Sequence, residues 1–157
     1  MRFAEYIRGV HSLAEFDCGN AAMNDFLQQA GTHGVPDGEH LWVSLDDSRA
    51  VVGFISTQIC EVALMQRAGV SVIPAVNLAA MGVTSTLHRS GLGGNLFARA
   101  LVTCVSHPAY SECEAFLCLP KHIGTIRMCE NFGFVPFPTK PGYFWLSRHA
   151  VERMLRL

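Results

Sequence analysis

Apolar residues along this chain change their spacing several times, and each change marks an element. After Phe16–Asn20 (FDCGN), Ala22, Met23, Phe26, Leu27 and Ala30 recur at the spacing of an amphipathic helix. Asp17, Gly19 and Asn20 are turn and N-cap residues that fix its start. Gly31–Gly38 (GTHGVPDG) carries three glycines and a proline and predicts a loop. Leu41–Leu45 then reads as a strand, Asp46–Arg49 as a turn and Ala50–Val62 as a long second strand. Ala63–Gly69 predicts irregular backbone or a short helical turn, and Ala75–Val83 a buried strand. Leu92, Leu96, Phe97, Ala100, Leu101, Cys104 and Val105 trace one helical face, which His107 and Pro108 end. Ala115–Leu119 is a short apolar strand, Ile123–Asn131 a helix stopped near Gly133, and Tyr143–Leu146 an aromatic strand. This order predicts an α/β (α+β) fold with a mixed sheet and helices on its faces.

Length and composition narrow the picture. A chain of 157 residues without repeat or linker suits one domain, 1–157, around one core. Half of the residues are hydrophobic and 16% are charged, which excludes a disordered chain. The mean hydropathy of +0.24 predicts a sticky surface, such as a dimer face or a partner groove. The apolar stretch Val70–Val83 is interrupted by Ser71, Pro74 and Asn77 and falls short of the ~20 residues of a spanning helix. The start, MRFAEYIRG, has no apolar signal region, so a cytoplasmic protein is expected. Six cysteines without a CxxC pair and seven histidines without HExxH predict no metal centre. The net charge of −1 and the two lysines, Lys121 and Lys140, argue against a broad nucleic-acid footprint. Only Arg148, Arg153 and Arg156 gather locally.

The chemistry concentrates in Ala75–Leu101. A buried strand runs into a glycine-rich turn, and the turn opens a helix. Free amides of a first helical turn and the helix dipole together attract an anion. Gly91, Gly93 and Gly94 allow close approach of a phosphate, and Arg89 can add a charged hydrogen bond. A Walker loop is excluded because no lysine follows the glycines. A Rossmann fingerprint is excluded because Leu96 occupies the place of its last glycine.

His88–Gly93, HRSGLG, resembles the [QR]xxGxG signature of the GNAT acyl-CoA N-acyltransferases, with His88 where Gln or Arg is usual. Ile126–Phe134, IRMCENFGF, is similar to the family's helix ending in FYxxxGF, and FDCGN followed by MNDFL resembles the family's tRNA-acetylating toxin branch. The resemblance covers nearly the whole chain. It implies a GNAT-like, mostly antiparallel central sheet that splays between Ala75–Val83 and Ala115–Leu119. It implies acetyl-CoA as cosubstrate, with the pyrophosphate on His88, Arg89, Ser90, Gly91, Leu92, Gly93 and Gly94. The pantetheine arm and thioester would lie along Met81, Gly82 and Val83. The implied partners are an amine acceptor and an antitoxin, while a second copy of the chain is expected from the hydropathy.

Cys129 stands where the family places the tyrosine that protonates the departing thiolate. Three readings compete: a substitute general acid, a nucleophile, or an inert packing residue. Tyr143 and Tyr110 are the other candidate phenols. Glu61 is the best candidate base, and His122 is a base or an N-cap. No carboxylate lies in Ala75–Val83, which favours a weakly basic acceptor. An α-amino group, as in a peptide or aminoacyl-tRNA, fits better than a polyamine, whereas the low basic content makes a small amine or a peptide at least as good a fit as a tRNA. The alternative is a degenerate GNAT-like domain that binds acyl-CoA or a protein partner without turnover.

Overall fold

The computed structural model describes residues 1–156. In chain order the elements are β1 (Arg2–Glu5), α1 (Ala21–His33), β2 (Glu39–Leu45), β3 (Val51–Gln66), β4 (Gly69–Val83), α2 (Leu92–Ser106), β5 (Ala115–Cys118), α3 (Ile123–Asn131), β6 (Val135–Pro136), β7 (Phe144–Ser147) and α4 (Arg148–Leu155). Among the described residues the strands form a seven-stranded sheet in the order β1-β2-β3-β4-β5-β7-β6. β4 and β5 run parallel. β1 and β2, β5 and β7, and β6 and β7 run antiparallel. The expected α/β fold with a mixed, mostly antiparallel sheet is the one found.

The chain folds as two compact units. The first comprises Met1–Thr57 and Ala79–Ala100. Its core joins Leu27 and Ala30 of α1 to Leu41, Val43 and Leu45 of β2 and to Val51 and Phe54 of β3. Phe54 meets Phe16 edge-on and Phe26 face to face, at ring separations of 5.6 and 5.8 Å. The second unit comprises Gln58–Leu78 and Leu101–Leu157, of which the residues through Arg156 are described. Val62, Ala75, Ala115, Leu117 and Phe137 form its buried cluster.

Caps explain several boundaries. The Asn20 side chain accepts the Met23 amide at 3.2 Å and opens α1. Gly34, at φ 81°, closes it. The expected loop at Gly31–Gly38 is therefore corrected, because α1 continues through His33. Within its last turns the Thr32 hydroxyl donates to the Gln28 carbonyl at 3.1 Å. Gly133, at φ 90°, follows the C-cap of α3 and donates to Glu130 at 2.9 Å, as its sequence position predicts.

The irregular segment expected at Ala63–Gly69 is also corrected. β3 continues to Gln66, and only Arg67 and Ala68 separate it from β4, so the two strands form a long hairpin. β4 begins at Gly69 rather than Ala75. Its first half is not buried, since Val70 and Val72 are 60% and 63% exposed. An apolar composition hides that alternation from a reading by composition alone. Registered pairing of β4 with β5 ends at Leu78 opposite Cys118, while β4 itself runs on to Val83.

Candidate active site

The sequence from Met81 to Gly94 lies wholly within the first unit. β4 ends at Val83, and the Thr84 amide donates to the Val52 carbonyl at 2.9 Å. A single 3-10 turn at Ser85–Leu87 follows, and then the chain reverses through His88–Gly91 into α2. Two residues of that reversal are left-handed, Arg89 at φ 62° and Gly91 at φ 86°. Left-handed residues in a tight loop turn successive amides to one side, forming an anion-binding concavity. Arginine at such an angle is strained, and strain of this kind clusters at ligand sites.

Hydrogen bonds hold the reversal without consuming all of its donors. The His88 amide donates to the Ser85 carbonyl, and Ser90 donates to the Leu87 carbonyl through both its amide (3.3 Å) and its hydroxyl (2.6 Å). The Leu92 amide reaches the Ser90 oxygen at 3.3 Å. Among the described residues, the amides of Arg89, Gly91, Gly93 and Gly94 have no protein acceptor. Gly91 and Gly94 have nothing within 4 Å of a hypothetical Cβ, so the space over the loop is open. A Cβ added at Gly93 would instead lie 3.5 Å from Met81 and 3.8 Å from Val83, where the glycine brings the helix start close to the strand end. Leu92 is buried and anchors the turn.

His88 has a definite local task. Its Nε2 donates to the Val83 carbonyl at 2.7 Å, tying the loop back to β4. That bond fixes the proton on Nε2 when the ring is neutral.

A second brace was not anticipated. The Asp17 carbonyl accepts three donors from the loop: the Ser85 amide at 2.8 Å, the Ser85 hydroxyl at 3.0 Å and the Thr84 hydroxyl at 3.3 Å. Asp17 is itself held, because its Oδ1 accepts the Gly19 amide at 2.9 Å and the Asn24 side-chain amide at 3.0 Å. Those bonds keep the Asp17 carboxyl below its ordinary pKa, the Gly19 amide contributing most. Cys18, next in the chain, packs against Gly82, where an added Cβ would lie 3.3 Å from its sulfur and 2.9 Å from Phe54. The FDCGN segment is thus both the start of α1 and a support for the glycine-rich loop. The clustering of turn residues there was the visible signal; the partner on the other side of the bond was not.

The candidate catalytic side chains Glu61, Cys129 and Tyr143 lie in the second unit. Glu61 is exposed on β3. Cys129 is 0% exposed, and its sulfur lies 3.2 Å from that of Cys118. The hydrogen bond with Cys129, followed by burial, pushes the Cys118 thiol well above its ordinary range. The same bond lowers Cys129. Tyr110 is completely buried. Tyr143 is half-buried at the entry to β7, with its backbone bonded to Phe137 at 2.8 Å and Lys140 at 3.2 Å. The Lys140 ammonium lies 4.4 Å from the centre of its ring. Among the described residues the Tyr143 hydroxyl has no hydrogen-bond partner. His122 is the N-cap residue of α3 but makes no capping side-chain bond; its ring meets Thr125 at 2.9 Å.

The arginines at the C-terminus divide. Arg148 is committed to structure: its guanidinium donates to the carbonyls of Tyr110 (2.9 Å), Cys113 (3.2 Å) and Val105 and pairs with Glu152 at 3.0 Å. Arg153 and Arg156 remain exposed. No group of His, Cys, Asp or Glu among the described residues is arranged to hold a metal. No described helix is long and apolar enough to cross a membrane.

No protein-family model matches this sequence. Solved structures do match it, over nearly the whole length of both chains. AtaT complexed with acetyl-methionyl-tRNAfMet superposes with a TM-score of 0.84 at 17% identity, covering 98% of each chain. The KacTA–DNA complex gives 0.83 at 14% identity over 99% of this chain and 98% of that one. AtaTR bound with acetyl-CoA gives 0.79 at 18% identity, with 98% and 97% covered. This chain thus shares, end to end, the architecture of these proteins: the fold is the GNAT fold.

Proposed function

We propose that residues 1–157 form one acyl-CoA-dependent N-acetyltransferase domain, which moves an acetyl group from acetyl-CoA to a primary amine in the cytoplasm. The observation that carries this reading is the reversal Arg89–Gly94: two left-handed residues and four unclaimed amides at the start of α2. It follows directly on the strand whose last residues have no β5 partner. The CoA pyrophosphate would rest on the amides of Arg89, Gly91, Gly93 and Gly94, with His88 and Ser90 shaping the loop and Leu92 anchoring it. The pantetheine arm would add to β4 along Met81, Gly82 and Val83, whose amides would polarise the thioester carbonyl.

In this reading a neutral amine attacks the thioester carbon, and the C–S bond breaks to release CoA thiolate. Tyr143 then supplies the proton. Among the described residues its hydroxyl has no hydrogen-bond partner, whereas the Cys129 thiol is buried against Cys118. That burial favours Cys129 as a packing residue over a proton donor. Glu61, exposed on β3, can relay the proton lost by the amine through water. The acceptor best supported is the α-amino group of an aminoacyl-tRNA, by likeness to AtaT, which was captured with acetyl-methionyl-tRNAfMet. Such an amine is less basic than lysine and needs no strong base. The same likeness supports an antitoxin partner, since AtaT was also captured with the C-terminus of AtaR.

Calorimetric titration with acetyl-CoA, followed by thiol release over aminoacyl-tRNA, peptide and small amines, tests each part. Binding with release in the presence of aminoacyl-tRNA is the expected result. Binding without release from any amine would identify a degenerate binder. Absence of binding would remove the enzyme reading altogether. Tyr143→Phe should lower kcat at least about tenfold while leaving acetyl-CoA affinity unchanged, and Cys129→Ser should leave kcat within about twofold.

A further inference from the structure

Cys118 and Cys129 belong to different elements, the last residue of β5 and the last turn of α3, yet their sulfurs stand 3.2 Å apart. Both are buried, at 5% and 0% exposure. Acyl transfer as derived above uses neither. Cys129 is also held in place through its backbone, because its carbonyl accepts the amides of Phe132 at 3.1 Å and Phe134 at 3.0 Å. Two thiols fixed this near each other need an approach of about 1 Å to reach disulfide bonding distance.

The geometry points to Cys118 and Cys129 as a reversible redox pair that closes to an intramolecular disulfide under peroxide. Cys129 reacts first, because the hydrogen bond from Cys118 favours its thiolate. The Cys129 thiolate attacks one peroxide oxygen. An S–O bond forms, the O–O bond breaks, and the departing hydroxide takes up the proton that Cys129 released. The Cys118 sulfur then attacks the sulfenic sulfur. An S–S bond forms, the S–O bond breaks, and the second hydroxide leaves with the Cys118 proton. Two thiols and one hydrogen peroxide thus give one disulfide and two waters: the sulfurs are oxidised and the peroxide oxygens reduced.

Placement sets the selectivity of this pair. Burial hinders a bulky disulfide oxidant far more than a small peroxide. The adjacent thiol intercepts the sulfenic acid before it advances to sulfinic acid. The remaining cysteines, Cys18, Cys60, Cys104 and Cys113, act as internal controls. Burial raises the thiol pKa of both Cys60 and Cys113, which slows their reaction.

The test uses the full chain, fully reduced and then exposed to a small molar excess of hydrogen peroxide. Expected are the loss of about 2 Da in intact mass, the disappearance of two of the six alkylatable thiols under denaturing conditions, and one cross-linked peptide joining Cys118 to Cys129. Dithiothreitol should restore all six. A cross-link between any other pair, or gain of oxygen on Cys129 without a cross-link, would overturn the assignment. So would retention of all six thiols. In Cys118→Ser, whose hydroxyl can keep the hydrogen bond but cannot form a disulfide, the sulfenic acid on Cys129 should persist and react with dimedone; if that variant does not fold, the wild-type peptide map still decides. Acetyl-CoA binding plays no part in these readouts, so the redox pair stands or falls independently of the enzyme reading.

Discussion

The imidazole of His88 donates a hydrogen bond of 2.7 Å to the main-chain carbonyl of Val83. Its sequence position matches the Gln or Arg that opens the GNAT signature. In this chain it is a side-chain donor that closes the loop on the end of β4. A glutamine can supply that donor and an alanine cannot. His88→Gln should therefore hold acetyl-CoA affinity within about threefold, while His88→Ala should weaken it about five- to tenfold, the worth of one ordinary hydrogen bond. Calorimetric titration of the three proteins decides this. Equal affinities would show that the bond is incidental to the loop.

Gly91 separates strain from ligand exclusion. It sits at φ 86° with open space where a Cβ would project. Gly91→Ala should cost about 1 kcal/mol of stability from the left-handed backbone alone. Gly91→Glu should cost a similar amount in urea denaturation, since no packing is disturbed. Only the glutamate should abolish acetyl-CoA binding, by placing a carboxylate where the pyrophosphate is expected. If both variants bind as wild type does, the anion site lies elsewhere.

How much of this was legible in the sequence depends on whether the signal is local. The loop Arg89–Gly94, the helix α2 behind it and the termination of α3 at Gly133 all rest on glycine chemistry and helical spacing, and they appear where expected. The support given to that loop by Asp17 was not legible, because it joins residues 67 and 68 positions apart. The length of the β3–β4 hairpin was hidden for another reason. Its exposed half carries Met65, Val70 and Val72, so polarity did not mark the solvent side. α4 was missed because it is short and strongly polar, and its first residue, Arg148, works through carbonyls that no sequence pattern displays.

His11 gives the chain a predictable response to acid. It is only 5% exposed, and its Nδ1 accepts the Ile7 amide at 3.0 Å, which requires an unprotonated nitrogen. Burial first, then the positive charges of Arg2 and Arg49, hold its pKa below the ordinary histidine value. The folded protein thus binds fewer protons here than the unfolded chain. The contribution of His11 is full above the unfolded pKa of about 6.5 and is lost as pH falls from there through the lower folded value. Urea midpoints measured from pH 7.5 to 5 should decline, and the decline should be shallower in His11→Gln. Parallel curves would show that other groups set the acid response.

Arg148 offers the sharpest contrast between a structural and a surface charge. One guanidinium serves three main-chain carbonyls, of Val105, Tyr110 and Cys113, and its side chain is 22% exposed. Its ion pair with Glu152 is more open, with the glutamate 37% exposed. Removing the arginine strands partly buried acceptors, and each such loss is costly. Arg148→Ala should therefore destabilise the protein by about 2–4 kcal/mol. Arg148→Lys should recover only part of that, because an ammonium cannot span three carbonyls in a fixed fork. Glu152→Gln should cost less than about 1 kcal/mol, as exposed pairs do. Chemical denaturation of the three variants ranks them. If Glu152→Gln proved as damaging as Arg148→Ala, the ion pair and not the carbonyl cluster would be what holds α4.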